Sequence, residues 1–398
     1  MSVIVTNAKS RIAYNIVRSL GSKGIDVITS DFVPLSMSFA SRYSRDHFIY
    51  PSPYHPDQDP FVTSIISAVT RFKSKVLIPV SEETFLISKY KHLLAGHVRM
   101  VVPDYDQILT AHNKDRWEGV ARGLGIAVPQ TYDPAAIADN HSLHGELPFP
   151  LLLKPKQGGG GWGMSQINSP EELKQSLNHD SCCNLDWGRF YLQRKIEGET
   201  HCVAMLFNEG RVRAKVAYKQ LREYPMKTGQ ATLRISLNSP QAEDDLQLLL
   251  EQLSWHGICQ ADFIIEKGTG IPYLVDLNPR FWGSLAQGIA SGVDFPYLYY
   301  QIAMEGDVKP VLQFKTDVMT RWIGGDMRAF LPFLKEAPKK LQFMKDYLFM
   351  SGAKIVKDDF FLDDPLPFFT WHLDAAVRMI KYRSLSPTAH DSLQGVWE

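Results

Sequence analysis

Apolar positions along the first hundred residues alternate between two periods. Val3-Ile4-Val5 is a β-branched run, after which Ser10 stands as an N-cap before Ile12, Ile16, Val17 and Leu20 at helical spacing, with Gly21 as the stop. Asp26-Val27-Ile28-Thr29-Ser30, Val76-Leu77-Ile78-Pro79-Val80 and Met100-Val101-Val102 read as three further strands with helical stretches between them. Such alternation predicts a parallel sheet covered on both faces. Its ligands belong beyond the strand C-termini, which singles out Ser81, Glu82 and Glu83, although acids opening a helix also fit a plain solvated helix start. The turn from Thr6 to Arg11 has no glycine, so the dinucleotide fingerprint is missing and NAD is disfavoured.

The texture then changes. A helix around Asn113 to Leu124 stops at Gly125, and Ala127-Val128-Pro129 reads as a strand. The apolar strand Leu151 to Pro155 runs directly into Lys156-Gln157-Gly158-Gly159-Gly160-Gly161-Trp162-Gly163. From Phe190 to Ser236 strands follow one another through turns at Glu209-Gly210 and Thr228-Gly229, which predicts antiparallel sheet. A helix spans about 240 to 254, and Ile258 to Glu266 with Ile271 to Asn278 form a hairpin. Beyond 310 the pattern is mostly helical, and Trp371 to Ile380 is amphipathic, the mark of a helix packed on its own domain rather than on a membrane. The resulting division is a parallel α/β domain over 1–110, α+β units over 111–187 and 188–310, and a helical region over 311–398.

Composition narrows the function. With 398 residues, 44% hydrophobic and 22% charged, the chain is long enough for two or three domains. Lys plus Arg (43) balances Asp plus Glu (43), which removes the electrostatic footprint of a dedicated nucleic-acid or anionic-membrane binder. Four cysteines without a C-x-x-C offer neither a zinc frame nor a disulfide scaffold and favour a reducing cytoplasm. No stretch of 18 apolar residues and no export signal is read, so the expectation is a cytoplasmic protein without a membrane span.

Two constellations carry chemistry. Four consecutive glycines after a strand have no packing purpose; Gly158 to Gly163 would present backbone N–H groups to phosphate oxygens, with Lys154 supplying a charge at the strand end. No Walker motif is present. Asp276 and Asn278, two apart on a strand, share a face and offer oxygen ligands to a hard cation. Asp262 joins them if Gly268-Thr269-Gly270 is a three-residue loop that pairs Lys267 with Ile271; a four-residue loop would place the two acids on opposite faces. The three-residue register is the one expected. Facing carboxylates then call for Mg²⁺, with Arg280 along the same face aimed at a transferring phosphoryl group.

Lys114, Lys154, Gly158 to Gly163, Tyr191 to Glu199, Ala261-Asp262-Phe263 and Val275 to Arg280 together resemble the ordered motifs of the ATP-grasp superfamily, most closely carbamoyl-phosphate-synthase-large-chain-like carboxylate–amine ligases. The likeness covers about residues 1 to 305. It implies a parallel α/β N-terminal (pre-ATP-grasp) domain followed by a two-subdomain ATP-grasp fold, with the mostly helical C-terminal region after it. It further implies that Lys114 and Lys154 contact ATP phosphates and that Gly158, Gly159, Gly160 and Gly161 close over them. Gln193, Lys195 and Ile196 would edge the adenine, the latter two through their backbone, and Glu199 would hold the ribose. Gln193 stands where many relatives carry an acid. Asp262, Asp276 and Asn278 fall on metal-ligand positions, for Mg²⁺ or Mn²⁺ as its substitute, and Arg280 on a phosphate-stabilising one.

The reaction expected of such a site is transfer of the ATP γ-phosphate to a substrate carboxylate, then attack of an amine on the acyl phosphate. Arg234, with Arg222 behind it, is the expected grip on the carboxylate. The expected partners are a small carboxylate and an amino-acid-like amine; a homo-oligomer is left open. Alternatives are a thiol acceptor, bicarbonate as the acid, or a nucleotide-binding regulator without turnover.

Overall fold

Strands β1 (Ser2–Val5), β2 (Asp26–Asp31), β3 (Ser44–Ile49) and β4 (Ser74–Ile78) form a parallel sheet in the order β3-β2-β1-β4. The computed structural model describes residues 1–139, 147–155, 164–179, 189–225, 229–349 and 355–382. β1 is buried on both faces: Val3 and Val5 pack with Ile16, Val17 and Leu20 of the helix Arg11–Gly21, while Ile4 packs with Phe61, Val62 and Ile65 of the helix Asp59–Phe72. Ser10 caps the first helix by accepting from the Ala13 amide, as its position in the sequence foretold.

The fourth strand is not the expected one. Met100–Val102 makes no strand; only Arg99 bridges to Val76. The Val101 amide donates instead to the Tyr299 hydroxyl at 2.8 Å, and Pro103 has no amide to donate, so pairing ends there. β3 takes the place at the opposite edge. Its sequence, Ser-Arg-Asp-His-Phe-Ile, is polar and partly exposed, the usual composition of an edge strand and one that a search for apolar runs passes over.

A second, antiparallel sheet is built from β5 (Thr131–Tyr132), β6 (Leu151–Pro155), β7 (Ser165–Ile167) and β8 (Phe190–Arg194), ordered β5-β8-β6-β7. Ala127–Pro129 precedes this sheet instead of forming a strand, and the Ala127 carbonyl accepts from the Leu274 amide. Because β8 pairs with β6 from Leu151↔Arg194 to Pro155↔Phe190, the small unit extends past residue 187, where the sequence had suggested its end. The glycine segment Gly158 to Gly163, with Trp162, lies outside the described residues, directly after β6.

The third sheet has seven strands: β9 (Gly198–Asn208), β10 (Arg211–Tyr224), β11 (Gln230–Ser236), β12 (Gly257–Glu266), β13 (Pro272–Asn278), β14 (Met319–Arg321) and β15 (Ile355–Lys357), ordered β13-β12-β9-β10-β11-β14-β15. One face buries Cys202, Ala204, Leu206 and Val216 against the N-terminal unit and the helix Phe295–Glu305; the other buries Val203, Met205 and Phe207 against the helices Lys114–Gly123 and Pro240–Gln252. The alternation along β9 therefore serves two cores at once. The region after 310 is not a separate helical extension, since β14 and β15 continue this sheet beside the helices Ile323–Glu336 and Leu366–Tyr382. The latter helix packs back on the Met37–Ala40 turn of the N-terminal unit. Among the described residues no helix is long and apolar enough to cross a membrane.

Candidate active site

Asp262 lies directly opposite Asp276, as the sequence required, but by a different route. Near the turn Ile265 pairs with Pro272 and the Glu266 amide donates to the Ile271 carbonyl, so four residues, Lys267 to Gly270, make the loop. Gly270 has φ +74°, the left-handed conformation that glycine tolerates. A four-residue loop alone would turn Asp276 away from Asp262. The register shifts between Asp262 and Phe263, however, leaving Val275 as an extra residue, and this bulge restores the pairing. The Val275 carbonyl accepts from Lys114 Nζ at 2.7 Å.

The acids are held as a set. Asp262 Oδ1 accepts from Gln260 Nε2 at 2.7 Å and from Cys202 Sγ at 2.9 Å, while Asn278 Nδ2 donates to Gln260 Oε1 at 3.0 Å and to Asp276 Oδ2 at 3.3 Å. Gln260, which the sequence reading passed over, ties β12 to β13 on this face. Burial, and then the charge of Asp276, push the Asp262 carboxyl up to about 6. Neither acid is ion-paired among the described residues. Two carboxylates and a side-chain amide oxygen on one face, short of positive charge, fit a hard divalent cation.

Across from them stands the small sheet. Lys154 and Tyr191 are cross-strand partners, and Lys154 Nζ donates to Gln193 Oε1 at 2.6 Å. Gln193 is buried, and its Nε2 donates to Glu118 Oε1 at 3.5 Å. Lys114, at the start of the helix Lys114–Gly123, sits 5.1 Å over the Tyr191 ring while bonding Val275, so one side chain touches both sheets. Burial, and next the neighbouring Lys114 charge, push Lys154 down to about 7; burial also lowers Lys114. Two desolvated ammonium groups that repel each other favour a polyanion between them.

The remaining expected nucleotide contacts are at the rim. The Lys195 amide donates to the Pro150 carbonyl at 3.1 Å, which commits that N–H within the small sheet's own fold, and its Nζ donates to Gln166 Oε1 at 2.9 Å. Ile196 is buried. Glu199, at the start of β9, is exposed and accepts from Lys219 Nζ at 2.5 Å, which lowers its pKa.

Arg280 follows the acids. Its Nε lies 3.6 Å from Glu82 Oε1, so the N-terminal unit reaches the site from the C-terminal end of β4, where Ser81 has φ +62°. Of the three residues suggested there, Glu82 faces the site and Glu83 does not. Glu83 is wholly buried, accepts from the Tyr50 hydroxyl at 2.6 Å and from Asn7 Nδ2 at 3.2 Å, and is pushed up to about 7 by burial. Gly283 lies close under two side-chain ends, since a Cβ there would stand 3.0 Å from Arg11 Nη2 and 3.3 Å from Gln230 Oε1.

Arg234 is the expectation the structure corrects. It is fully buried, and its Nη2 donates to Asp358 Oδ2 at 2.8 Å; the same oxygen accepts from Arg11 Nη1 at 2.9 Å. Arg11 also stacks 4.1 Å over the Trp322 ring. Arg222, the second choice, is bonded through Nε and Nη2 to the buried Asp326. Both arginines therefore neutralise acids from the C-terminal region, which the sequence reading had not expected to reach this sheet.

Residues 111–284 match the family model for the ATP-grasp domain, a span that includes both lysines, both acids, Asn278 and Arg280. The chain contains an ATP-grasp domain. The carbamoyl phosphate synthase large chain of Saccharolobus solfataricus is 22% identical over 235 residues, covering 53% of this chain and 22% of that protein, so the chain spans about a fifth of this relative's length. Among solved structures, the ATP-grasp domain and its flanking units share their fold with the biotin carboxylase domain of Hydrogenobacter thermophilus 2-oxoglutarate carboxylase, solved with MgADP and bicarbonate (TM-score 0.62, 16% identity, 80% of this chain and 73% of that one). An L-amino acid ligase from Bacillus licheniformis is similar too (TM-score 0.58, 14% identity, 78% of each chain).

Proposed function

We propose that this protein is an ATP-dependent ligase that activates a carboxylate as its acyl phosphate and joins it to an amine, with release of ADP and phosphate. The observation that carries the reading is the Asp262–Asp276 pair with Asn278, without an ion pair among the described residues, set across from Lys114 and Lys154. In this reading Lys114 and Lys154 hold the phosphates beneath the segment Gly158 to Gly161. Gln193 and Ile196 edge the adenine, Glu199 holds the ribose, and Asp262, Asp276 and Asn278 hold Mg²⁺. When bound, the ion supplies neutralisation of the phosphate charge. Arg280 places its guanidinium where charge grows on the transferring phosphoryl group, and its ion pair with Glu82 keeps it oriented. Because no protein nucleophile is involved, the side chains contribute alignment, charge and exclusion of water from a labile intermediate.

The test measures ADP release by the purified chain with Mg²⁺, supplied in turn with pools of amino acids, with bicarbonate, and with a thiol acceptor. ADP release that depends on amino acids and stops on adding EDTA is the expected result. Release with bicarbonate alone would move the protein to the bicarbonate-using class. Tight ATP binding with no ADP from any pool would make it a nucleotide-binding regulator.

A further inference from the structure

We infer that Gln260 is a positioning residue: by holding the amide of Asn278 through its N–H end, it leaves the oxygen, Oδ1, for the divalent cation. The inference rests on the ligase reading above, which gives Asn278 to that ion, and adds a residue to which that reading gives no part. A divalent cation takes oxygen lone pairs and is repelled by N–H groups, so an asparagine serves it in only one of the two orientations of its amide. The two ends of the amide are nearly equal in size. Packing therefore barely distinguishes the orientations, and hydrogen bonds decide between them.

Gln260 lies on β12 two residues before Asp262, so the two side chains share a face, and across the ladder it pairs directly with Asn278 of β13. It is 4% exposed, and both ends of its amide are engaged. Nε2 donates to Asp262 Oδ1 at 2.7 Å, while Oε1 accepts from Asn278 Nδ2 at 3.0 Å. Asn278 Nδ2 also donates to Asp276 Oδ2 at 3.3 Å. A carboxylate at each end fixes the polarity of this row. Ionised Asp262 and Asp276 only accept, so Gln260 turns its nitrogen to the first and Asn278 its nitrogen to the second. Gln260 Oε1 is then left facing the Asn278 nitrogen, and every bond in the row joins a donor to an acceptor.

The consequence is a choice of oxygen on each expected ligand. Asn278 commits its nitrogen within the row, and its Oδ1 accepts no hydrogen bond among the described residues. On Asp262, Oδ1 already accepts from Gln260 and from the Cys202 thiol at 2.9 Å, whereas Oδ2 accepts from neither. On Asp276 it is Oδ2 that accepts from Asn278. Each ligand thus keeps one oxygen outside the row. Two groups hold the Asn278 amide in this orientation, and they are not equivalent. Asp276 makes the longer bond and is itself committed to the cation; Gln260 is buried, uncharged and committed to nothing beyond the row, so the orientation rests on it.

A double-mutant cycle read by metal binding tests the role without requiring turnover. The full chain is titrated with Mn²⁺ in the presence of a saturating non-hydrolysable ATP analogue, and the free ion is followed by electron paramagnetic resonance. Gln260→Met and Gln260→Leu, both close to glutamine in volume, are measured side by side, with thermal unfolding to show that each is folded. Each is expected to weaken Mn²⁺ binding by about 10- to 100-fold. Asn278→Asp supplies the second arm, because a carboxylate offers oxygen at both ends and needs no orienting partner. In that background the same Gln260 substitutions should weaken Mn²⁺ binding by no more than about threefold. Unchanged binding in the single variants would overturn the role, as would an equal loss in both backgrounds, which would mean that Gln260 acts through Asp262 or through packing. Equal Mn²⁺ binding by wild type and Asp276→Asn would instead overturn the cation assignment on which the role rests.

Discussion

Asp262 and Asp276 face each other at one edge of the seven-stranded sheet with no cation paired to them among the described residues, whereas Asp358, beyond β15 at the other edge, binds both Arg11 and Arg234 through one oxygen. Both sites gather charge between strands. The first is half-buried and has no ion pair to either acid among the described residues, and burial with like-charge repulsion pushes Asp262 up to about 6. The second is buried, with two guanidinium groups sharing one oxygen of Asp358 while the neighbouring Asp359 accepts from the Ile323 and Gly324 amides. Facing acids without an ion pair at a half-buried cleft mark a place where a ligand can complete the charge balance; a buried, ion-paired cluster fastens parts of the fold together.

The largest expected effect tests the unmatched site. Asp276→Asn should lower ATP turnover by about a thousandfold or more while leaving the thermal midpoint unchanged or raised, because it removes a cation ligand and relieves repulsion. Steady-state ADP release together with calorimetric unfolding checks both halves, and a rate near wild type would remove Asp276 from the cation site.

Breaking the matched cluster should do the reverse. Asp358→Asn leaves Arg11 and Arg234 without their shared carboxylate and should cost about 3–5 kcal/mol of stability, read by urea unfolding. Turnover per folded molecule should be nearly intact. If turnover vanished in a variant of normal stability, Arg234 would return as a substrate-gripping residue.

Lys154 gives a smaller signal. Its ammonium is pushed down to about 7, and phosphates placed beside it would raise that value again, so ATP binding at pH 7 to 8 should take up a fraction of a proton. Calorimetry in two buffers of different ionisation heat measures the uptake, which Lys154→Met should abolish.

The smallest effect lies away from both clusters. Glu83 is pushed up to about 7 from an ordinary 4.5, so the folded state holds its proton where the unfolded chain has lost it. This group's stabilising contribution is complete below pH 4.5 and is lost as pH rises through 7. Glu83→Gln should remove that part of the pH dependence of stability, as denaturation at pH 5 and pH 8 would show.

Local chemistry made much of the site readable. The left-handed glycine in the turn, the alternation of Asp276 and Asn278 and the Ser10 cap follow from backbone preferences of single residues. The bulge had a signal too. Leu274 and Leu277 both enter the helix-packed core although they are three apart, an odd spacing that a regular strand does not allow. The arginines had none, because an arginine on a strand looks the same in sequence whether it faces substrate or an acid more than a hundred residues away. Glu82 and Glu83 were adjacent candidates of equal merit until packing buried one and turned the other toward Arg280.

By itself, then, the sequence determined the helices and apolar strands around the core, the family likeness and the residue types of the phosphate and cation sites, because these rest on periodicity and on neighbours a few positions apart. Tertiary structure alone decided which strand fills the N-terminal edge, that the C-terminal region completes the large sheet, and that Asp358 claims Arg11 and Arg234. Those outcomes depend on which distant groups compete for the same buried charge or the same backbone partner, a competition that is settled only when the chain is packed.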